Sequence, residues 1–262
     1  MTKTILITGA TDGIGELTAK TLAAEGHTVL IHGRSAEKLE KAAEAIGGKT
    51  ESYSADLTHF DQIHTMAADI RKAHDRLDVI INNAGVLKLR DTVTDDGYDA
   101  RFVVNTFAPY VLTEALRPIL AEDGRIVNLS SAAQAPIDLD ALHGRKKLDH
   151  NPAYAQSKLA LTIWTRELAR TLPSGQIAVA VNPGSLLASK MVKEGYGIAG
   201  SDLQIGADVL REAAVGAAFA DANGKYFDND NGVFANPHPA ALDAGHAAQV
   251  MQGIKDAVTK IG

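Results

Sequence analysis

Tyr154 and Lys158 stand four residues apart, so on a helix they share one face and can couple. A phenol with an ordinary pKa near 10 is a poor proton donor and acceptor at neutral pH, and a neighbouring ammonium favours the phenolate and brings that value down. A shift of about three units takes roughly 4 kcal/mol of differential stabilisation, within reach of a partly desolvated lysine and a second cation together. Alone, the pair would suit an exposed helix equally well, and its meaning depends on what surrounds it. Two hydroxyls, Ser130 and Ser131, close the run Arg125-Ile-Val-Asn-Leu-Ser-Ser. A hydroxyl at a strand end can donate to a carbonyl oxygen as charge develops there. The third feature is Thr8-Gly-Ala-Thr-Asp-Gly-Ile-Gly15. Glycine lets a backbone turn sharply and approach a ligand closely, and a helix opening there points free N–H groups and its positive dipole end at the turn, which favours a phosphate. The glycines fall at 9, 13 and 15, not at the G-x-G-x-x-G spacing.

The elements that must carry these groups alternate. Short apolar runs are each followed by a segment of helical spacing: Thr4–Thr8 then Gly13–Glu25, Thr28–His32 then Ser35–Ile46, Glu51–Ala55 then His59–His74, and Asp78–Asn82 then Asp95 to about Leu120. Arg125–Leu129 precedes Ala153–Leu172, and Ile177–Val181 follows. Near-continuous apolar strands alternating with helices are what a parallel sheet covered on both faces requires. The pattern predicts a doubly wound α/β fold, Rossmann-like, in three αβα layers. Pro109 and Pro118 should kink or end the long fourth helix. No linker or repeat divides the chain, so residues 1–262 are expected to form a single domain. Two stretches stand outside the rhythm, 132–152 and 185–243, and both follow strand ends, where such sheets place their ligand crevice. They are expected to be variable substrate loops.

At 262 residues with 45% hydrophobic and 22% charged, composition is that of an ordinary globular chain. A net charge of −6 offers no diffuse basic surface for a phosphate backbone and argues against nucleic acid as partner. Cysteine is absent, which removes disulfides, thiolate metal sites and thiol nucleophiles. No apolar stretch approaches the roughly 20 residues that span a bilayer, and Met1-Thr-Lys-Thr before Ile5-Leu-Ile lacks the apolar stretch and small-residue cleavage site of a signal peptide, so none is expected. A soluble cytoplasmic protein is expected.

The motifs occur together and in order. Asn82-Asn-Ala-Gly85 ends the fourth strand, Tyr154-Ala-Gln-Ser-Lys158 opens a helix after the fifth, and Asn182-Pro-Gly184 ends the sixth. With the glycine turn, these resemble the short-chain dehydrogenase/reductase family from Thr4 to about Gly184. Gly224-Lys-Tyr-Phe227 looks like the family's last strand, and the pattern is nearest the retinol-dehydrogenase-like branch. The resemblance implies a catalytic tetrad of Asn105, Ser131, Tyr154 and Lys158. Tyr154 would exchange a proton with the substrate oxygen, Lys158 would lower its pKa and bond the nicotinamide ribose, and Ser131 would polarise the oxygen. Asn105 would hold the lysine and a relay water. Cofactor contacts implied are Gly9, Thr11, Asp12, Gly13, Ile14 and Gly15 at the turn, Asp56 and Leu57 at the adenine, Asn83, Ala84 and Gly85 behind the ribose, Tyr154 and Lys158, and then Pro183, Gly184 and Ser189. Ala188 stands where many relatives carry a threonine for the nicotinamide amide.

NAD-preferring relatives end the second strand on an acidic residue. Here Gly33 holds that place and Arg34 follows, a guanidinium beside a small residue that suits a phosphate. NADP(H) is therefore the expected cofactor, with NAD(H) the lesser alternative. The activity implied is hydride transfer between the nicotinamide and a carbonyl or alcohol, that is, an alcohol dehydrogenase or carbonyl reductase. Two other readings share the fold: a catalytically silent nucleotide sensor or scaffold, and an NADPH-dependent C=C reductase. A homodimer or homotetramer through the helices bearing Asn105 and Tyr154 is implied as well. The partner implied is a small-molecule carbonyl or alcohol substrate, and Leu186, Leu187, Met191, Val192 and Tyr196 suggest a partly apolar lid for medium-sized apolar carbonyls. No metal is expected, since the histidines lack ligand spacing. Asp228-Asn-Asp-Asn-Gly232 has its glycine one place early for a calcium loop and Pro239 where a bidentate Glu belongs, so it reads as a turn. Trp164 is expected in the core or a subunit contact.

Overall fold

In the computed structural model, which describes residues 2–189, 191–193 and 197–262, the strands are β1 Thr4–Ile7, β2 Thr28–Gly33, β3 Lys49–Ser54, β4 Leu77–Asn82, β5 Leu120–Leu129, β6 Ile177–Asn182, β7 Tyr226–Asp228 and β8 Val233–Ala235. They form one sheet in the order β3-β2-β1-β4-β5-β6-β7-β8, parallel except for β8, which pairs antiparallel with β7. The helices are α1 Gly13–Ala24, α2 Ala36–Ile46, α3 Phe60–Ala73, α5 Leu139–Leu142, α6 His150–Ala169, α7 Leu203–Val215 and α8 Ala244–Ile261. Between α3 and α5 runs α4, α-helical over Ala100–Phe102, widened to a π-helix over Val103–Phe107, and α-helical again over Ala108–Leu116.

Alternation along the strands sorts the core into two layers. Leu6, Leu30, Ile80 and Ile126 face one way, onto the buried sides of α3, α4, α6 and α8. Ile5, Ile7, Val29, Ile31, Val79, Ile81, Val127 and Val179 face the other, onto α1, α2 and α7. This is the three-layer αβα arrangement. From β3 the chain crosses back over β1 to β4, so the strand order reverses between β1 and β4, and the crevice beyond their carboxyl ends is where such folds bind ligands.

Two features differ from the periodicity-based expectation, the start of α4 and the content of the 185–243 stretch, while the prolines act as expected. Helix α4 begins at Ala100 rather than Asp95, because the Asp99 carboxylate accepts from Arg101 N at its start and residues before it fold back, with Thr94 N donating to Tyr98 O at 2.8 Å. Pro109, which cannot donate, sits at the start of the last α-helical portion, directly after the π turn; Pro118 lies in the 3-10 turn that ends the helix. The 185–243 stretch is not loop throughout. It contains α7, whose Ala207, Val209, Leu210, Ala213 and Ala214 are buried, and the β7–β8 hairpin; the glycines and asparagines around them mask the helical spacing. Trp164 is core, 1% exposed, its ring 5.7 Å from that of Tyr110.

Candidate active site

The turn after β1 owes its shape to backbone positions that only glycine holds without strain. Gly9 and Gly13 have φ of +65° and +60°. A Cβ on Gly9 would meet Ala84 Cα at 2.9 Å, and one on Gly15 would run into the Gly9 carbonyl and the Asn83 amide. That closeness joins the ends of β1 and β4. Asn83 Nδ2 donates to Thr8 O and Gly9 O at 2.8 and 2.9 Å, and Thr8 Oγ1 accepts from the amides of Asn83 and Ala84 at 3.0 and 3.1 Å. At the N-terminus of α1, the Asp12 side chain makes no capping bond, so the first-turn N–H groups are not taken up by it.

Beneath the turn lies His32. Gly9 N donates to its Nδ1 at 3.2 Å, which leaves Nε2 as the N–H that donates to Ala55 O at 3.0 Å. Burial pushes the imidazole down to about 4, against the pull of the Ala55 hydrogen bond. His32 therefore stays neutral and pins the glycine turn to the end of β3.

A cavity of about 660 Å³ opens beside these turns. At one end its wall is Gly33, Arg34, Ser35, Lys38, Asp56 and Leu57; the middle is Gly9 to Gly15 with Asn83, Ala84 and Gly85; the other end is Ser130, Tyr154, Lys158, Pro183, Ser189 and Met191. The Asp56 carboxylate is taken up by Thr58 N and Oγ1 at 2.9 and 2.8 Å, and the Arg34 guanidinium acts on it through its charge. Burial alone would raise the Asp56 carboxyl, but those bonds together with the Arg34 charge outweigh it and hold it below the usual carboxylate range.

Tyr154 and Lys158 lie on the second and third turns of α6. Lys158 Nζ is 5.7 Å from the Tyr154 ring centroid and donates to Leu129 O at 2.6 Å. Burial pushes its ammonium down to about 8. Asn105, fully buried in the π stretch of α4, sits behind this wall. Its Oδ1 accepts from Val86 N at 2.8 Å, and its Nδ2 donates to Val86 O at 3.0 Å and Ser157 Oγ at 2.9 Å. It ties the 85–86 turn to α6.

Residues 3–196 match the family described as short chain dehydrogenase. The chain belongs to the short-chain dehydrogenase family of oxidoreductases. Human retinol dehydrogenase 13 is 35% identical over 253 residues, covering 86% of this chain and 76% of that one. The candidate daunorubicin C-13 ketoreductase DnrU of Streptomyces sp. (strain C5) is 33% identical and covers 98% and 92%. Among solved structures, a short-chain dehydrogenase from Burkholderia cenocepacia J2315 in complex with NADP superposes with a TM-score of 0.69 at 29% identity, covering 88% and 97%.

Against the short-chain dehydrogenase pattern, the structure gathers most of the expected residues into one wall: Gly9, Thr11, Asp12, Gly13, Ile14, Gly15, Arg34, Asp56, Leu57, Asn83, Ala84, Gly85, Tyr154, Lys158, Pro183 and Ser189. Three stand apart from it. Asn105 supports from behind; Gly184, with φ +127°, follows the wall residue Pro183; and Ser131 follows the wall residue Ser130, its Oγ accepting from Ala133 N at 3.1 Å. Ser130 is occupied elsewhere, 2.6 Å from Thr162 Oγ1. Of the proposed lid, Leu187 is buried, Leu186 exposed and Met191 in the wall, while Tyr196 lies outside the described residues. Sequence reasoning missed His32 and Lys38. A histidine closing a buried apolar strand needs partners, but only the fold shows which they are; Lys38 lies one turn into the helix that Ser35 caps, and that signal was there to read. Among the described residues no helix is long and apolar enough to cross a membrane.

Proposed function

We propose that the protein is an NADP(H)-dependent oxidoreductase that interconverts a carbonyl and an alcohol, with Tyr154 as the proton donor and acceptor. The observation that carries this reading is the Tyr154–Lys158 pair in the wall of the same cavity that begins at the glycine turn and Arg34. The residues fit a dinucleotide. A Cβ on Gly13 would meet nothing within 4 Å, so the turn leaves open space there, the α1 N-terminus carries no side-chain cap, and Arg34, with Ser35 and Lys38 beside it in the wall, suits a 2′-phosphate. The bound nicotinamide would supply or receive the hydride.

The chain's own residues would handle the proton and the charge. Lys158, held by Leu129 O, keeps a cation against the Tyr154 ring and stabilises the phenolate left when the phenol O–H passes its proton to the substrate oxygen. Ser131 would donate to that oxygen as negative charge builds. Asn105 would keep the 85–86 turn and α6 at fixed separation. The relatives' names, a dehydrogenase and a ketoreductase, support chemistry at a carbonyl–alcohol pair. Val86, Leu87, Leu89, Val104 and Met191 make the remaining wall largely apolar, in keeping with a medium-sized apolar substrate. Assembly as a dimer or tetramer through α4 and α6 belongs to the same proposal, and light scattering on the purified protein tests it.

The deciding experiment follows NADPH and NADH oxidation across a panel of aldehydes and ketones, with Tyr154→Phe alongside. Turnover with NADPH that disappears in the variant is the expected result. Binding of NADPH without turnover on any carbonyl would overturn it in favour of C=C reduction or a nucleotide-sensing role.

A further inference from the structure

The acidic turn between β7 and β8 reaches across to the turn after β6. The Asp230 carboxylate accepts from Ser185 N at 2.7 Å, from Ser185 Oγ at 2.5 Å and from Asn182 Nδ2 at 2.9 Å. Asp228 Oδ1 accepts from the same Asn182 Nδ2 at 2.9 Å and from Asp230 N at 3.2 Å. Asn229 adds main-chain contacts, its N donating to Asn182 O at 3.2 Å and its Nδ2 to Pro183 O at 2.9 Å. The whole Asn182–Ser185 turn is thereby tied to this one segment.

The residues just beyond the tied turn depend on where it is held. Leu186 has φ +53°, and among the described residues it is the one non-glycine with positive φ, a conformation that a branched side chain adopts only under constraint. Leu187 then pairs with Ser201, and Ala188 N donates to Ser201 O at 2.7 Å. Pro183, Ser189 and Met191 end up in the cavity wall at the Lys158 end, far along the sheet from Arg34. An amide at 230 has one acceptor oxygen where the carboxylate has two, and would turn its NH2 on a donor.

We propose that Asp230 is a positioning residue that seats the 183–189 segment against the nicotinamide half of the cavity and leaves the adenosine half alone. This rests on the NADP(H) reading. A merely structural role for the hairpin would affect both halves alike.

The test uses the full-length protein as wild type, Asp230→Asn and Ser185→Ala, with calorimetric titration of NADPH and of adenosine 2′,5′-bisphosphate, which lacks the nicotinamide. In Asp230→Asn the Kd for NADPH should rise by about tenfold, the scale of one charge-assisted hydrogen bond, while the Kd for the bisphosphate stays unchanged. Ser185→Ala should move the NADPH value the same way by less, and it decides alone if circular dichroism shows that Asp230→Asn does not fold. Equal weakening of both ligands, or no weakening of either, overturns the proposal while the cofactor reading stands on wild-type binding. Wild-type protein that binds neither ligand overturns the cofactor reading and this proposal with it.

Discussion

Lys158 illustrates how the site is made at the scale of single residues. Its ammonium is held in a buried place where the pKa falls to about 8, well below its value in the unfolded chain. The unfolded state therefore binds more protons between about pH 8 and 10.4, and stability contributed by this residue rises with pH across that window. Below it, keeping the charge buried costs about 3 kcal/mol. Lys158→Met should accordingly raise stability at pH 7 by about 1–2 kcal/mol once the lost bond to Leu129 O is deducted, the gain shrinking above pH 8, while turnover disappears. Chemical denaturation at pH 7 and pH 10 checks this. His32 works in the acid range. Its folded value of about 4 lies below the unfolded 6.5, so the wild type should lose up to about 3 kcal/mol between pH 6.5 and 4. His32→Gln should lack that loss, as denaturation profiles at the two pH values would show. Tyr154 and Lys158 were legible in the chain because an i, i+4 pair carries its geometry with it. His32 was not, because its meaning lies in Gly9 N and Ala55 O, which only the fold brings to it.

At the scale of elements, the glycine turn works as the contact between two strands as much as a bend in one. Gly15→Ala would drive its Cβ into the Gly9 carbonyl and the Asn83 amide, and should cost about 1–3 kcal/mol in stability together with NADPH binding. Thermal denaturation and titration measure the two. The strands and helices up to β6 were legible because runs such as Val79-Ile-Ile81 and Ile177–Val181 are apolar on both faces, as a covered parallel sheet demands. The elements beyond were less so. β7 and β8 have three residues each, too few for a period to declare itself, and Asp228 to Gly232 between them has turn composition. The π widening of α4 left no period of its own either; it shows where Ala108 N reaches back to Val103 O.

For the molecule as a whole, the sheet order places the two ends of the cavity on different strands, with Arg34 beyond β2 and Lys158 against β5. A ligand that binds the folded state alone stabilises it by about 2.7 kcal/mol at a hundred times its Kd. On the proposed function, NADPH should raise the Tm by about 5 °C or more under those conditions, NADH by distinctly less, and Arg34→Ala should bring the two together. A thermal shift series reads all three. The fold class was written in the alternation of the chain and the site in four separated motifs; the joining of the motifs was not, since it depends on hydrogen bonds between turns remote in sequence. That joining bears on kinetics. The Thr8 hydroxyl and the Asn83 amide lock the β1 and β4 turns together within the chain itself, so a ligand arriving there finds little backbone freedom to freeze. Capture at this half of the crevice is then limited by encounter and orientation rather than by rearrangement, and its association rate should be nearly insensitive to solvent viscosity beyond the effect on diffusion.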